Sequence, residues 1–206
     1  VSNLQPLAEM KALTLVDCSG TAVSDLEPLS QLPALTTLRV SATSIRDLRP
    51  LARLAALKTL DCSATQVADL QPLGQLAALT WLDCSETEIS DLQPLAQLRA
   101  VSWLKFSRTR ISDLQPLANL TALTALNCSR SWISDLQPLA QLNALTTLNV
   151  ALASVADLRP LAQLAGLESL DCNSTRFSEW QARSQSRALT TLDCSGTQVE
   201  TLEPLA

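Results

Sequence analysis

The chain has 206 residues, 47% of them hydrophobic and 17% charged. That is too apolar and too weakly charged for a disordered polypeptide, and long enough for one substantial core. A formal net charge of -5 argues against a nucleic-acid or anionic-membrane binder, and the absence of histidine removes the commonest general base and metal ligand together.

From Val1 onward one motif of 22 residues is copied end to end, typified by ISDLQPLANLTALTALNCSRSW from Ile111 to Trp132. Repeat arrays grow one unit at a time, so the fixed period overrides any domain count based on length. Residues 1–206 are therefore expected to form a single domain of nine repeats plus the start of a tenth. No uninterrupted apolar run approaches the roughly 20 residues of a membrane span. Membrane insertion is therefore not expected, and since Val1 opens inside a repeat with no signal peptide before it, targeting information has either been trimmed or does not exist.

Within the unit that begins at Ile89, Ser90 and Asp91 are capping residues and Pro94 falls in a first turn, where its missing N–H costs little. Leu92, Leu95 and Leu98 follow at a spacing suited to a short helix or 3-10 turn. Further on, Val101, Leu104 and Phe106 are apolar, and the last two alternate with Trp103 and Lys105, which is the period of a short strand. Each copy thus predicts one helical turn and one strand.

Cys18, Cys62, Cys84, Cys128, Cys172 and Cys194 occupy one repeat position, which Val40, Phe106 and Val150 fill in other copies. A column that accepts Cys, Val and Phe is an interior column, so buried free thiols are expected. Disulfides between adjacent rungs, such as Cys62 to Cys84, are the lesser reading, and zinc is weaker still without a CxxC pair. Free thiols suit a reducing compartment, which favours a cytoplasmic location over a secreted or surface one.

The pattern L-x-x-L-x-[CVF]-x-x-T-x-[IV] followed by x-D-L-x-P-L-x-x-L resembles the leucine-rich repeat, in the 22-residue class of bacterial internalins and Roco-type arrays. The resemblance covers the whole chain. It implies an α/β solenoid with parallel strands on the concave side and short helical or 3-10 turns on the convex side. Where that family usually has Asn, this chain has Thr21, Thr43, Thr65, Thr87, Thr109, Ser131, Ala153, Thr175 and Thr197. A hydroxyl offers fewer bonds than an amide, and Ala153 offers none. Cys replaces the usual strand Leu.

The repeat at 177–198 is irregular, with Trp180, Arg183 and Ser186 in place of convex leucines and Ala182 in place of the proline, while Leu189, Leu192 and Cys194 restore the strand. This reads as a locally looser turn or, alternatively, a docking site for another domain. From Val199 a further copy starts, and neither end carries a polar cap. Uncapped ends suggest a segment of a longer protein or ends covered by a partner, with end-to-end self-association as the alternative.

Exposed convex positions barely differ between copies: Gln71, Gln93, Gln115 and Gln137 coincide, as do Gln75, Gln97, Gln141 and Gln163. Variation gathers instead in two outward strand columns and two loop columns. One strand column runs Leu15, Thr37, Thr59, Trp81, Trp103, Ala125, Thr147, Ser169, Thr191, and the other contains Asp83, Lys105 and Asn127. The loop columns contain Glu86, Arg108, Arg130, Leu152 and Glu88, Arg110, Trp132. A further variable column (Lys11, Pro33, Arg99 and equivalents) precedes the strand and reads as a turn. Bulk and charge concentrate on the middle rungs, with Trp81 and Trp103 expected about 4.8 Å apart. Tryptophan and arginine are the residues most enriched at binding hot spots.

The sequence therefore predicts a protein-binding module without catalysis, cofactor or metal. Its expected partner-binding residues are Trp81, Glu86, Glu88, Trp103, Lys105, Arg108, Arg110, Arg130, Trp132 and Leu152, the arginines and the lysine meeting acidic groups of the partner. Acidic neighbours oppose a nucleic-acid track. Asp61 with Asp83, and Asp171 with Asp193, supply too few oxygens for a hard cation. The alternative is a sensor or scaffold segment of a larger enzyme, such as a Roco-type GTPase or an effector ubiquitin ligase.

Overall fold

The computed structural model describes residues 1–178 and 188–199. Each repeat contributes one three-residue strand: β1 (Leu15–Asp17), β2 (Thr37–Arg39), β3 (Thr59–Asp61), β4 (Trp81–Asp83), β5 (Trp103–Lys105), β6 (Ala125–Asn127), β7 (Thr147–Asn149), β8 (Ser169–Asp171) and β9 (Thr191–Asp193). They form one parallel sheet of nine strands in sequence order. Equivalent residues pair across every step, Thr59 with Trp81 and Trp81 with Trp103 among them. The expected strand over 101–106 narrows to Trp103–Lys105, because Val101 and Phe106 leave the sheet to pack, fully buried, into the coil.

The central residue of each strand faces inward: Leu38, Leu60, Leu82, Leu104 and Leu126 have essentially no exposed surface. The flanking residues face out, as the alternation of side chains along a strand requires. Opposite the sheet stand 3-10 turns such as Gln93–Leu95 and Gln115–Leu117, each with a proline in its first two positions. The Asp91 carboxylate accepts the Gln93 N–H at 2.7 Å, and Asp25, Asp47, Asp69, Asp113, Asp135 and Asp157 repeat that bond. Capping chemistry thus explains why aspartate is held fixed on a solvated turn. The variable column before the strand, at Lys11, Pro33 and Arg99, lies in a turn, as expected.

All six cysteines are free. Cys62, Cys84 and Cys128 are fully buried, and Phe106 fills their column on the intervening rung. Their thiols donate to carbonyls of the next rung, Cys62 to Asp83 at 3.5 Å and Cys84 to Lys105 at 3.4 Å. Burial pushes the Cys128 and Cys172 thiols up to about 12, and it raises Cys62 and Cys84 as well. Thiols so shielded stay reduced with little help from their surroundings, so their being free says less about compartment than the sequence suggests.

The Thr column closes the loop after each strand. Thr109 Oγ1 donates to the Phe106 carbonyl at 2.7 Å, and Thr43, Thr65, Thr87 and Thr175 make the same bond at 2.6 Å. At Ala153, which has no hydroxyl, the backbone N–H reaches the Val150 carbonyl at 3.1 Å instead. In the irregular repeat, Trp180, Ala182, Arg183 and Ser186 lie outside the described residues, while β9 continues the sheet in register with β8.

Replacing Thr109 with Ala exchanges the hydroxyl bond to the Phe106 carbonyl for at most the longer backbone N–H bond seen at Ala153, and should cost up to about 1 kcal/mol in urea unfolding; an unchanged midpoint would remove this role. A thiol-specific disulfide reagent should label the five buried cysteines only as fast as the array opens. Prompt labelling of Cys84 in native buffer would contradict the burial that raises its pKa.

Candidate functional site

Parallel pairing in register places equivalent side chains on a common line, one rung apart, at about 4.8 Å. On the concave face this brings Trp81 and Trp103 into a stack with ring centroids 4.3 Å apart and planes within 5° of parallel. Both indoles are half-buried. The line joining them runs along the solenoid axis, so each indole keeps an outer face, that of Trp81 toward Thr59 and that of Trp103 toward Ala125.

The second outward column has a different job from the one its variability suggests. Asp17, Asp61, Asp83, Asp171 and Asp193, with Asn127 and Asn149, each accept the backbone N–H of the residue two positions on. Its acidic members are therefore loop-closing groups. Asp17 and Asp193 are held below the usual carboxylate range chiefly by hydrogen bonds from Ser19 and Ser195. Lys105 departs from this pattern, and its rung compensates: the Ser107 N–H donates to Ser85 Oγ at 3.1 Å. Lys105 Nζ lies 3.4 Å from Asp83 Oδ2, with the two side chains 33% and 10% exposed. Lys105 thus has an acidic neighbour within the chain and remains partly exposed on the concave floor.

The rim of the concave face holds the rest. Ala42, Ala64, Glu86, Arg108, Arg130, Leu152 and Ser174 all have φ between 52° and 58°, and Gly20 and Gly196 share their column at 66°. The left-handed conformation costs a residue with a Cβ about 1–2 kcal/mol, which glycine avoids. The two glycines were the sequence signal for this conformation. The non-glycine residues between them accept the strain and project Glu86, Arg108, Arg130 and Leu152 outward.

Arg108 pairs with Glu86 at 3.2 Å, both side chains about half exposed. Arg110 and Arg130 are exposed and make no ion pair among the described residues. Trp132 is 64% exposed and Leu152 45%, the most exposed apolar side chains of the middle rungs. Glu88 stands exposed beside Glu86. The ten expected residues therefore divide into a concave floor (Trp81, Trp103, Lys105) and a rim (Glu86, Glu88, Arg108, Arg110, Arg130, Trp132, Leu152).

This arrangement presents flat aromatic faces and guanidinium groups, which suit recognition. The buried thiols, with raised pKa values, are poor nucleophiles. Among the described residues no three His, Cys, Asp or Glu side chains gather where a metal ion would sit. Among them, too, no helix is long and apolar enough to cross a membrane.

No protein-family model and no curated protein sequence matches the chain. Solved structures do. Internalin C2 of Listeria monocytogenes is 31% identical with a TM-score of 0.83, the match covering 84% of this chain and 76% of that one. InlF, another internalin of that organism, is 23% identical with a TM-score of 0.80, covering 96% of this chain and 65% of its own. A leucine-rich-repeat protein of Leptospira interrogans is 18% identical with a TM-score of 0.91, over 99% of this chain and 54% of that one. The chain thus spans less than two thirds of InlF and about half of the Leptospira protein.

Exchanging Arg130 for Gly removes a projecting side chain and a strained φ together. Thermal or urea unfolding should show stability unchanged or raised by up to about 1 kcal/mol. A clear loss of stability would mean that Arg130 serves the scaffold.

Proposed function

Because the chain belongs to the leucine-rich-repeat proteins, with repeats of the internalin kind, we propose that it is a binding module whose concave floor and rim grip another protein. The array 1–206 acts as one unit and works by binding, without chemistry of its own. The observation that carries this reading is the Trp81–Trp103 stack, open to the concave face, with two exposed arginines that make no ion pair among the described residues on the rim loops of the Trp103 rung and the next. Indoles held by their own stacking lose little freedom when a partner covers them, which is what a hot spot requires. Trp132 and Leu152 extend the apolar area at the rim. Arg110 and Arg130 would meet carboxylates of the partner, while the Lys105–Asp83 and Arg108–Glu86 pairs fix the floor and rim in place.

The test compares proteins retained from lysate by three immobilised arrays: wild type, a Trp81→Ala/Trp103→Ala variant, and a convex-face Gln93→Ala/Gln115→Ala variant. The specific partner should be lost from the first variant and kept by the second. With that partner in hand, Trp103→Ala should weaken affinity by about 2 kcal/mol or more in calorimetry. Equal retention on all three arrays would remove the concave face from the binding surface.

A further inference from the structure

The tryptophan column stops abruptly. Next to Trp103 on β5 stands Ala125 on β6, and then Thr147 on β7. Because the two indole planes lie within 5° of parallel and their centroids are 4.3 Å apart along the solenoid, the free face of Trp103 is turned toward the rung of Ala125. An alanine methyl is too small to cover an indole face, so a flat slot is left with Trp103 as its wall and Ala125 as its floor. Among the described residues no further aromatic ring or cation is stacked on that face. Beside the floor, Asn127 uses its Oδ1 to accept from the Ser129 N–H and hydroxyl at 3.1 and 2.8 Å. Its amide Nδ2 hydrogens therefore point away from that loop.

Charge then decides what kind of flat group fits. Continuing along the same rung the chain passes Arg130 and Trp132, and Arg110 stands on the neighbouring rung. Lys105 is paired with Asp83 and Arg108 with Glu86, whereas Arg110 and Arg130 make no ion pair among the described residues, although exposed Glu88 stands one rung from Arg110 in its column. A cationic flat group such as an arginine of the partner would sit beside like charge. An aromatic group with a carboxylate next to it in sequence would not. From Ala125 to Arg130 the chain runs at most about 18 Å fully extended, so a segment of three to five residues spans both features.

We propose that the slot between Trp103 and Thr147, floored by Ala125, is a subsite for an aromatic side chain of an acidic peptide segment. That side chain becomes the third ring of the Trp81–Trp103 stack, its peptide carbonyl accepts from Asn127, and its neighbouring carboxylates meet Arg130 and Arg110. This assignment rests on the concave face being the binding surface and adds to it the chemistry of the segment bound.

The probe is an acetylated and amidated tetrapeptide with one tyrosine among aspartates, titrated at millimolar concentration into the nitrogen-15-labelled array. The signals followed are the indole N–H resonances of Trp81, Trp103 and Trp132. The expected result is a saturable shift of the Trp103 indole, weakened three- to tenfold when the tyrosine is replaced by alanine, as loss of one aromatic pair requires. The shift should also weaken as salt is raised. Ala125→Trp fills the slot in a column that already carries tryptophan on two adjacent rungs, so it should leave the fold intact and abolish the shift. If the peptide shifts Trp103 equally in wild type and Ala125→Trp, the slot is wrong while the concave surface stands. If the alanine or a lysine-flanked peptide binds as well, or no shift appears, the aromatic-acidic assignment fails, and the Trp81/Trp103 retention experiment still decides the surface independently.

Discussion

Everything in this molecule depends on parallel pairing in register with a constant offset of 22 residues. That offset makes any sequence column a physical column, with neighbours one rung apart and about 4.8 Å between them. A leucine column then becomes a continuous core, an aspartate column a row of caps, and two tryptophans a stack. No rung could hold its apolar face alone. Each is stabilised by the rungs on either side, so the scaffold's rules are local and repeat along its length.

The same constraint explains which positions are free to serve recognition. Central strand leucines are committed to the core, Asp91 and its equivalents to the 3-10 turns, and Thr109 and its equivalents to the loop carbonyls. What remains is the first outward strand column and the rim loops. The backbone of the first rim column is left-handed on every rung, and on the middle rungs it carries large side chains that the turn does not need, Arg108, Arg130 and Leu152, beside a large exposed indole at Trp132. At Arg130, which makes no ion pair among the described residues, a left-handed arginine where glycine would relax the turn is a cost without structural return.

The fold was legible in the sequence because the period, the prolines and the alternation around Leu104 each point to the same architecture. The Trp81–Trp103 neighbourhood was legible too, since register follows from the repeat. Less was readable where one position does two jobs. The Asp83 column looked like concave variation, yet its acidic members close loops, and only hydrogen-bond geometry separates that role from recognition. Lys105 looked available for a partner, and its pairing with Asp83 depends on side-chain directions across two rungs. The strain at Arg130 was signalled only by Gly20 and Gly196, at the far ends of its column.

Interchangeable rungs make the division between scaffold and recognition positions directly measurable. In a single variant, the outward residues of one middle rung, Trp103, Lys105, Arg108 and Arg110, are exchanged for those of a later rung, giving Trp103→Thr, Lys105→Asn, Arg108→Leu and Arg110→Ser. Unfolding and partner affinity are then measured side by side. A melting temperature close to wild type together with loss of binding is expected. Binding that survives the exchange at full strength would contradict that division.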